Sequence, residues 1–160
     1  MQAVPETIAI PHQHGCSQIG TDKDRTFATL AGIGKSPNVG GVIVVSLGCE
    51  VINPYDLADA IGATGKPVEV LDIQNEGGTI KTIQKGTEIA KKMKQELDKA
   101  EKVQVPLSEL KIGVKCGGSD STSGMASNPA LGMAADLLVD AGGTVVISET
   151  TEIIGAEHVL

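Results

Sequence analysis

Apolar residues in this chain gather into five short runs, each bounded by glycine, proline or polar residues. The runs cover residues 7–11, 42–47, 68–73, 111–115 and 144–148. They are too short for helices, and they are nearly continuous rather than strictly alternating, as buried parallel strands tend to be. The pattern therefore predicts five strands of a mostly parallel sheet.

Segments with helical periodicity separate these runs. The clearest covers residues 79–102, where Thr79 is a candidate N-cap after two glycines and a charged face lies opposite an apolar one. Its predicted inward residues are Ile80, Ile83, Ala90, Met93 and Leu97. Further helices are predicted over residues 128–141, 22–33 and 54–61. Strands that alternate with helices predict an α/β fold, with a mostly parallel sheet flanked by helices and strand-end loops that form the site.

The length of 160 residues suits one domain with its own core, so we expect a single α/β domain over residues 1–160. A hinge between two sub-blocks is expected near residues 101–108, because Pro106 interrupts a polar segment there. The chain enters its first apolar run almost at once and ends without a clear stop signal. We therefore expect a further domain or subunit to accompany it, and we expect a homo-oligomer.

The amino-acid composition argues against nucleic acid and membranes as partners of this protein. Phe27 and Tyr55 are the only aromatic residues, so the core must be aliphatic. The formal net charge is −7, and a chain with neither a basic footprint nor aromatic platforms is a poor nucleic-acid binder. No apolar run approaches the roughly 20 residues of a membrane helix, and no signal peptide is recognisable. Three widely spaced cysteines without an export signal are typical of thiols or metal ligands in a reducing cytoplasm.

Each cysteine follows a predicted strand and has a glycine beside it. Because ligands of open parallel sheets bind outside the carboxyl ends of the strands, Cys16, Cys49 and Cys116 are expected to converge at one edge of the sheet. The side chains expected near them are His12, His14, Glu50 and Glu149. A lone cysteine is usually a small buried hydrophobe, but three in glycine-rich loops favour a site.

Cysteine, histidine and carboxylate side chains together suit iron or zinc better than magnesium. The lack of a Cys-x-x-Cys motif argues against a zinc ribbon or finger. Three cysteines could also hold an iron–sulfur cluster with one iron open to substrate. Spacing alone does not separate these alternatives.

Residues 116–124, CGGSDSTSG, form a second candidate site, named here the serine loop. Its glycines let a ligand approach the main chain, and N–H groups close to a helix start favour an anion such as a carboxylate or a phosphate. The loop's hydroxyls add hydrogen-bonding groups, and Asp120 could be a ligand, a base or a turn residue. The competing interpretation is a flexible turn.

Several stretches together resemble the altronate/galactarate dehydratase family, which also includes the large subunit of sulfolactate sulfo-lyase. They are PHQHGCSQIGTD, PNVGGVIVVSLGCE, LDIQNEGGT and the block from Cys116 to Leu160. The CGGSDxxSGxxxNPAxG pattern at residues 116–132 is specific, whereas LGCE at residues 47–50 is short but correctly placed. The resemblance covers nearly the whole chain and implies an internal portion, or a split form, of such an enzyme.

The resemblance implies an iron-dependent lyase that dehydrates sugar acids to 2-keto-3-deoxy acids, with an iron–sulfur cluster or another divalent metal as alternatives to Fe²⁺. The implied metal ligands are His14, Cys16, Cys49 and Cys116. The implied bases or supporting carboxylates are Glu50, Asp120, Glu149 and Glu152. The groups implied to bind the substrate are Gly117, Gly118, Ser119 and Ser123.

Three other functions stay open. Sulfite elimination from sulfolactate shares the removal of an α-proton and differs in the leaving group. A subunit-association module would be inert alone. A cysteine nucleophile would need a contact between cysteine and histidine, which His14 and Cys16 could supply.

Overall fold

The computed structural model describes residues 4–159, which alternate between helices and strands. The elements are α1 (Thr21–Lys35), β1 (Val42–Ser46), α2 (Pro54–Gly62), β2 (Val68–Asp72), α3 (Thr79–Leu97), β3 (Lys111–Val114), α4 (Asn128–Asp140) and β4 (Thr144–Ile147). Short 3₁₀ turns lie at Leu107–Glu109, Thr150–Ile153 and Glu157–Val159, and a π-helix lies at Ser123–Ser127. The α/β class is confirmed, and β1 to β4 each end one residue before the predicted limit.

The chain divides into two compact units, the first spanning Met1–Glu101 and the second Lys102–Leu160. The boundary falls at the start of the segment in which the sequence suggested a hinge. Each unit contains one parallel strand pair, β1 with β2 and β3 with β4. The strands expected in one sheet are therefore distributed over two, because apolar runs show where strands form but not which strands pair.

The first unit has its core between the sheet and the helices α1 and α2. The buried cluster consists of Ala31, Ile52, Leu57 and Ile61. Gly34 on α1 allows this close approach, because a Cβ atom added there would lie 2.5 Å from Cδ1 of Ile61. Helix α2 begins where the Asn53 side chain accepts a hydrogen bond from the Tyr55 main-chain N–H at 2.9 Å. This cap satisfies one of the N–H groups that a helix start leaves free.

Helix α3 uses only part of its predicted inward face. Ala90 and Met93 are partly buried, and Leu97 lies against Gly40, whereas the first turns differ from the prediction. Ile80 and Ile83 are 75% and 61% exposed, whereas Thr82 is buried. Gly86, one turn further on, lies against Leu71 of β2. Small residues face the sheet in the first turns because the helix runs close to it there, and this overrides the apolar pattern. The helix also starts at Thr79 with Gly78 as its N-cap, and it ends at Leu97 rather than at residue 102.

The prediction of a strand over residues 7–11 is wrong, because this segment has no strand partner among residues 4–159. Ile8 and Ile10 are 77% and 51% exposed. Pro11 has no N–H to donate to a ladder, and the run is too short to bury a face without a neighbour. The segment is instead an irregular, exposed connection to the loop that carries Cys16.

The second unit packs α4 on the pair β3–β4, in which Lys111 is opposite Thr144 and Val114 is opposite Ile147. Leu138 is its most buried hydrophobic side chain among residues 102–159, at 8% exposed. A cavity of about 50 Å³ remains between α4 and the sheet, lined in part by Ile112 and Val145. Within the described part of the chain, no helix is long and apolar enough to cross a membrane.

Candidate functional site

The first unit brings two cysteines together from positions 33 residues apart in the sequence. The Sγ atoms of Cys16 and Cys49 lie 3.7 Å apart, and both side chains are exposed. A main-chain hydrogen bond of 3.0 Å from the Val51 N–H to the Gly15 carbonyl joins the segments that carry them. The hydrogen bond with Cys16, and then the charge of that side chain, raise the pKa of the Cys49 thiol. Cys16 and Cys49 are called the cysteine pair from here on.

Glu50 shapes the turn that holds Cys49 after β1. Its carboxylate accepts hydrogen bonds from the main-chain N–H groups of Leu47 and Gly48, the second at 2.9 Å. Burial by itself raises the pKa of this carboxyl group, but the hydrogen bonds from these N–H groups outweigh burial and lower it. Gly48 takes a φ of 114°, which favours glycine. Both carboxylate oxygens of Glu50 are therefore engaged in the turn.

The two neighbouring histidines lie in the exposed loop before α1. The main-chain N–H of His14 donates to Nδ1 of His12 at 3.3 Å, so this ring nitrogen already has a partner. Among residues 4–159, no three histidine, cysteine, aspartate or glutamate side chains form a ready group of metal ligands. The cysteine pair is thus a two-sulfur arrangement, with the His14 side chain two residues away in the same loop.

The second unit has its own polar cluster where β3 and β4 end. The main-chain N–H of Cys116 donates to the Glu149 carboxylate at 3.3 Å. The Lys115 ammonium lies 3.1 Å from the other oxygen of Glu149 and donates to the Cys116 carbonyl at 2.9 Å. Glu149 takes a φ of 63°, a left-handed conformation that is uncommon for residues with a Cβ atom. Such conformations occur where surrounding contacts enforce them, often at functional sites.

The serine loop is closed by Asp120. One oxygen of its carboxylate accepts hydrogen bonds from the hydroxyl and main-chain N–H of Thr122, at 2.6 and 2.7 Å, and from the Ser123 N–H at 3.0 Å. These bonds, with the Thr122 hydroxyl first, lower the pKa of Asp120. The Ser123 hydroxyl in turn accepts from the Asp120 N–H at 3.1 Å. Asp120 is therefore a turn residue in this structure.

The open side of the serine loop consists of small groups. No atom lies within 4 Å of the position that a Cβ atom would take at Gly117 or Gly118. The Cys116 Sγ lies 3.7 Å from the Ser119 hydroxyl. The chain then enters the π-helix, a rare element that is frequent at functional sites. The loop thus leaves room beside its main chain, as the anion-site prediction requires.

The structure groups the predicted site residues by unit. The cysteine pair and Glu50 share the first unit, whereas Cys116, Glu149 and the serine loop share the second. Glu152 is exposed, and its main-chain N–H donates to the Glu149 carbonyl at 2.9 Å. Convergence of all three cysteines stays a prediction.

Sequence reasoning missed two groups that the structure places at strand ends. Lys115 pairs with Glu149, and its position directly before Cys116 was a usable signal. Ser46, at the end of β1, is 3% exposed, and its hydroxyl has no hydrogen-bond partner among the described residues. The sequence shows a serine at the end of an apolar strand, which does not indicate that its hydroxyl is buried without a hydrogen-bond partner.

Fold and site together define an α/β protein in which Cys49, Cys116 and Glu149 lie in loops that follow parallel strands, a common location for ligand sites. Cys16 lies instead in the loop before α1. Residues 1–98 match the family described as D-galactarate dehydratase/altronate hydrolase, second domain. Residues 107–160 match the C-terminal domain described as D-galactarate/altronate dehydratase, C-terminal. The chain therefore belongs to the D-galactarate dehydratase/altronate hydrolase family, which confirms the resemblance.

Curated relatives extend the similarity over most of the chain. It is 38% identical over 154 residues to altronate dehydratase of Bacillus subtilis, covering 96% of this chain and 30% of the relative. It is 41% identical over 154 residues to (2R)-sulfolactate sulfo-lyase subunit beta of Chromohalobacter salexigens, covering 96% of this chain and 39% of the relative. With galactarate dehydratase (L-threo-forming) of Escherichia coli, 40% of 141 residues are identical, over 82% of this chain and 27% of the relative. The chain thus spans well under half the length of these relatives, and no solved structure matches it.

Proposed function

We propose that this protein is part of a carbon–oxygen lyase that dehydrates a sugar acid, such as altronate or galactarate, to a 2-keto-3-deoxy acid. Family membership and the names of the relatives support this class of reaction. The single observation that carries the proposal is the cysteine pair, whose sulfur atoms lie 3.7 Å apart in exposed loops. The greater length of the relatives supports a role beside further domains or subunits.

The cysteine pair fits a soft or borderline metal ion. Two thiolates that bind one tetrahedral ion at about 2.3 Å each lie about 3.8 Å from one another. The observed separation of 3.7 Å agrees with that value. Sulfur ligands favour iron or zinc over magnesium and calcium. We propose Cys16, Cys49 and His14 as ligands, with Fe²⁺ as the metal and an iron–sulfur cluster as the alternative.

When bound, such an ion would act as a Lewis acid that stabilises charge on the substrate carboxylate and on the departing hydroxyl oxygen. The chain's own residues then have to hold the ligands and move the proton. Glu50 holds the Cys49 turn through its hydrogen bonds to Leu47 and Gly48. We therefore assign Glu50 to positioning of Cys49 rather than to proton removal. Cys116 remains a predicted ligand, and substitution by serine tests it.

Glu149 is the strongest candidate for the general base, which must take the proton next to the substrate carboxylate. The carboxylate of Asp120 is engaged in its own turn, and its lowered pKa weakens it as a base. Glu149 follows β4 and its side chain is 35% exposed; the Lys115 ammonium and the Cys116 N–H hold its orientation. Glu152, which is exposed in the adjacent turn, is the second candidate.

The serine loop is proposed to bind the substrate carboxylate and hydroxyls. The main chain at Gly117 and Gly118 is open to an approaching anion. Ser119 and Ser123 supply hydroxyls on the same loop, and the Asp120 turn keeps that loop closed. Because main-chain N–H groups carry no net charge, they bind an anion without a large desolvation cost.

A second candidate is elimination of sulfite from sulfolactate. The observation that favours it is the 41% identity to a sulfolactate sulfo-lyase subunit, which is similar to the identity with the dehydratases. Both reactions begin with removal of a proton next to a carboxylate, so the same base and carboxylate site would serve either one.

The deciding experiment is metal and product analysis of chain purified without oxygen. Iron, zinc and acid-labile sulfide are measured in the wild type and in Cys16→Ser, Cys49→Ser and Cys116→Ser. We expect iron near one per chain in the wild type and at least tenfold less in the first two variants. A similar loss in Cys116→Ser would support Cys116 as a further ligand, and full retention would remove it from the ligand set. Iron with equimolar sulfide would replace the single ion by a cluster. Full iron retention in Cys16→Ser and Cys49→Ser would overturn the assignment.

The same preparations are then incubated with altronate, galactarate or sulfolactate, and 2-keto acid and sulfite are measured. Glu149→Gln should lower the rate by about 10²-fold or more, as loss of a general base does, whereas Glu152→Gln is the matched control in the adjacent turn. A larger loss in Glu152→Gln than in Glu149→Gln would assign the base to Glu152, and equal losses would count against Glu149 as the base. A wild type without metal and without product would favour the inert association module.

A further inference from the structure

The cysteine pair has a property that metal binding does not require. Both thiols are free and exposed, and their sulfur atoms lie 3.7 Å apart. A disulfide has an S–S bond of about 2.05 Å, so the sulfurs need to move roughly 1.7 Å closer. Both side chains are exposed, and we expect their rotation to supply this movement. We propose that Cys16 and Cys49 form a reversible dithiol–disulfide site that reacts with low-molecular-weight disulfides such as oxidised glutathione.

The main chain around the pair is already arranged for this bond. The hydrogen bond between the Val51 N–H and the Gly15 carbonyl joins the residue before Cys16 to the residue two after Cys49. The Cys16 Sγ also lies 3.5 Å from the Cys49 carbonyl oxygen. The first of these contacts joins the two loops without involving a sulfur atom, so it does not depend on the oxidation state of the pair. We therefore expect oxidation of the pair to leave the sheet and the core helices in place.

The step is a pair of thiol–disulfide exchanges. The thiolate of one cysteine attacks a sulfur of oxidised glutathione, the S–S bond of glutathione breaks, and one glutathione thiolate leaves and takes up a proton. The thiolate of the second cysteine then attacks the mixed disulfide, which releases the second glutathione. Two protein thiols are oxidised to one disulfide, and one molecule of glutathione disulfide is reduced to two of glutathione. Excess reduced glutathione or dithiothreitol reverses both steps.

Cys116 provides the internal comparison. It is also free, but its nearest polar side-chain partner in the second unit is the Ser119 hydroxyl at 3.7 Å, not a thiol. Within the second unit Cys116 has no second thiol, and a thiol without one stops at the mixed disulfide with glutathione. We therefore expect the cysteine pair to resolve the adduct and Cys116 to retain it.

The consequence for metal binding rests on the proposed function. A disulfide offers no thiolate, so oxidation of the pair would withdraw both sulfur ligands from a metal at once. A bound metal would in turn protect the pair, because its thiolates are then occupied. Oxidation and metal occupancy would therefore exclude each other.

The test uses the whole chain, reduced and stripped of metal, in buffers of fixed glutathione to glutathione-disulfide ratio without oxygen. Intact mass and peptide mapping after alkylation report the products. We expect Cys116→Ser to lose the mass of two hydrogen atoms, and the wild type to show the same loss together with one glutathione added at Cys116. Both should give a peptide linking Cys16 to Cys49, and dithiothreitol should reverse both products. Cys16→Ser and Cys49→Ser should instead keep one glutathione on the remaining member of the pair. Unchanged circular dichroism of these variants confirms that the fold is kept.

Stable glutathione adducts on both Cys16 and Cys49 of one wild-type molecule, or a crosslink through Cys116, would overturn the proposal. A parallel reaction after addition of Zn²⁺, a probe without redox chemistry, separates it from the proposed function. Slower crosslinking with Zn²⁺ supports both. Crosslinking at an unchanged rate supports the disulfide site and counts against the metal ligands. Zinc binding without any crosslink in the metal-free chain overturns the disulfide site alone.

Discussion

The two units are assembled from the same parts, a parallel strand pair with helices, but they bury those parts very differently. In the first unit, Ile61 and Leu71 are each 1% exposed, and helices α1 and α2 meet over a continuous cluster. In the second unit, Leu138 is the one hydrophobic side chain classed as buried among residues 102–159. Large apolar side chains such as Met133, Leu137 and Ile147 are more than half exposed.

This difference shows that strands and helices can form in this chain without the burial of a large hydrophobic core. Strands β3 and β4 form where the β-branched runs predict them, although little apolar surface is removed from water around them. A two-stranded sheet alone is marginally stable in water, so the second unit depends on the packing of its single helix α4. We therefore expect core substitutions to act strongly in the first unit and weakly in the second.

The largest expected effect is on the free energy of unfolding, and it compares a core substitution in the first unit with one in the second. Ile61→Ala should cost about 2–5 kcal/mol of unfolding free energy, because a fully buried side chain is lost and leaves a cavity. Leu138→Ala should cost less than about 2 kcal/mol, because Leu138 already borders a cavity of about 50 Å³. Urea unfolding with hydrogen exchange of β1–β2 and β3–β4 amides measures both. Ile80→Ala is the exposed control, and equal costs at Ile61 and Leu138 would remove the distinction.

The next expected effect compares alanine substitutions at glycines in α1 and α4, which differ in how closely other atoms approach them. Gly34→Ala should cost about 1–3 kcal/mol, since the new methyl group would lie 2.5 Å from the Ile61 side chain, which has no room to move. Gly132→Ala in α4 meets nothing within 4 Å and should stabilise by about 0.5–1 kcal/mol through helix propensity. Gly32→Ala, open on the same helix as Gly34, is the matched control. Thermal unfolding of the three variants measures the effect, and a stabilising Gly34→Ala would contradict the close helix contact.

Much of the fold was predictable because each strand is a β-branched run between glycines or polar residues. Pairing was not, since residues 42–47 carry no mark that selects residues 68–73 over residues 144–148. The inward face of α3 was misassigned at Ile80 and Ile83 because a close helix–sheet contact selects small residues rather than apolar ones.

The candidate site was predictable in its residue types and only partly in its geometry. The approach of Cys16 to Cys49 was expected from a shared strand edge, but a main-chain bond between Gly15 and Val51 produces it. No rule of spacing identifies such a loop contact. The hydrogen bonds from nearby main-chain N–H groups to Glu50 and Asp120 were not predictable either. The sequence does not distinguish a carboxylate that stabilises a turn from one that acts as a base.

A smaller effect is expected at the start of α2. Asn53→Ala should cost about 1 kcal/mol, because the Tyr55 N–H loses its acceptor at 2.9 Å. Asn53→Asp should keep the cap and add a charge that the helix start favours. Urea titration of the two variants checks this, and an alanine variant as stable as the wild type would show that water replaces the cap.

The smallest expected effect is the pH dependence of local stability at Asp120. The Asn53 cap is neutral and has no such dependence, whereas the Asp120 turn is held by a charged carboxylate. The pKa of Asp120 is lowered in the folded chain, first by the Thr122 hydroxyl. Its contribution to stability is therefore present above the ordinary aspartate pKa and is lost as pH falls through the lowered value. Hydrogen exchange of residues 118–124 should rise over that range in the wild type. Asp120→Asn, which keeps an acceptor without the charge, should show no such pH dependence, and a parallel rise in both would assign it to another group.

The π-helix at Ser123–Ser127 has a consequence for how this protein can change over evolutionary time. Each residue of an α-helix turns the chain by about 100°, so a wide turn ahead of α4 offsets the serine loop from the helical phase of the residues that follow. The loop's hydroxyls and the face of α4 that covers the sheet consequently do not share one continuous helical stripe. Substitutions that alter which ligand the loop accepts can accumulate without disturbing the packing of Leu138, so recognition and folding can vary independently in this part of the chain.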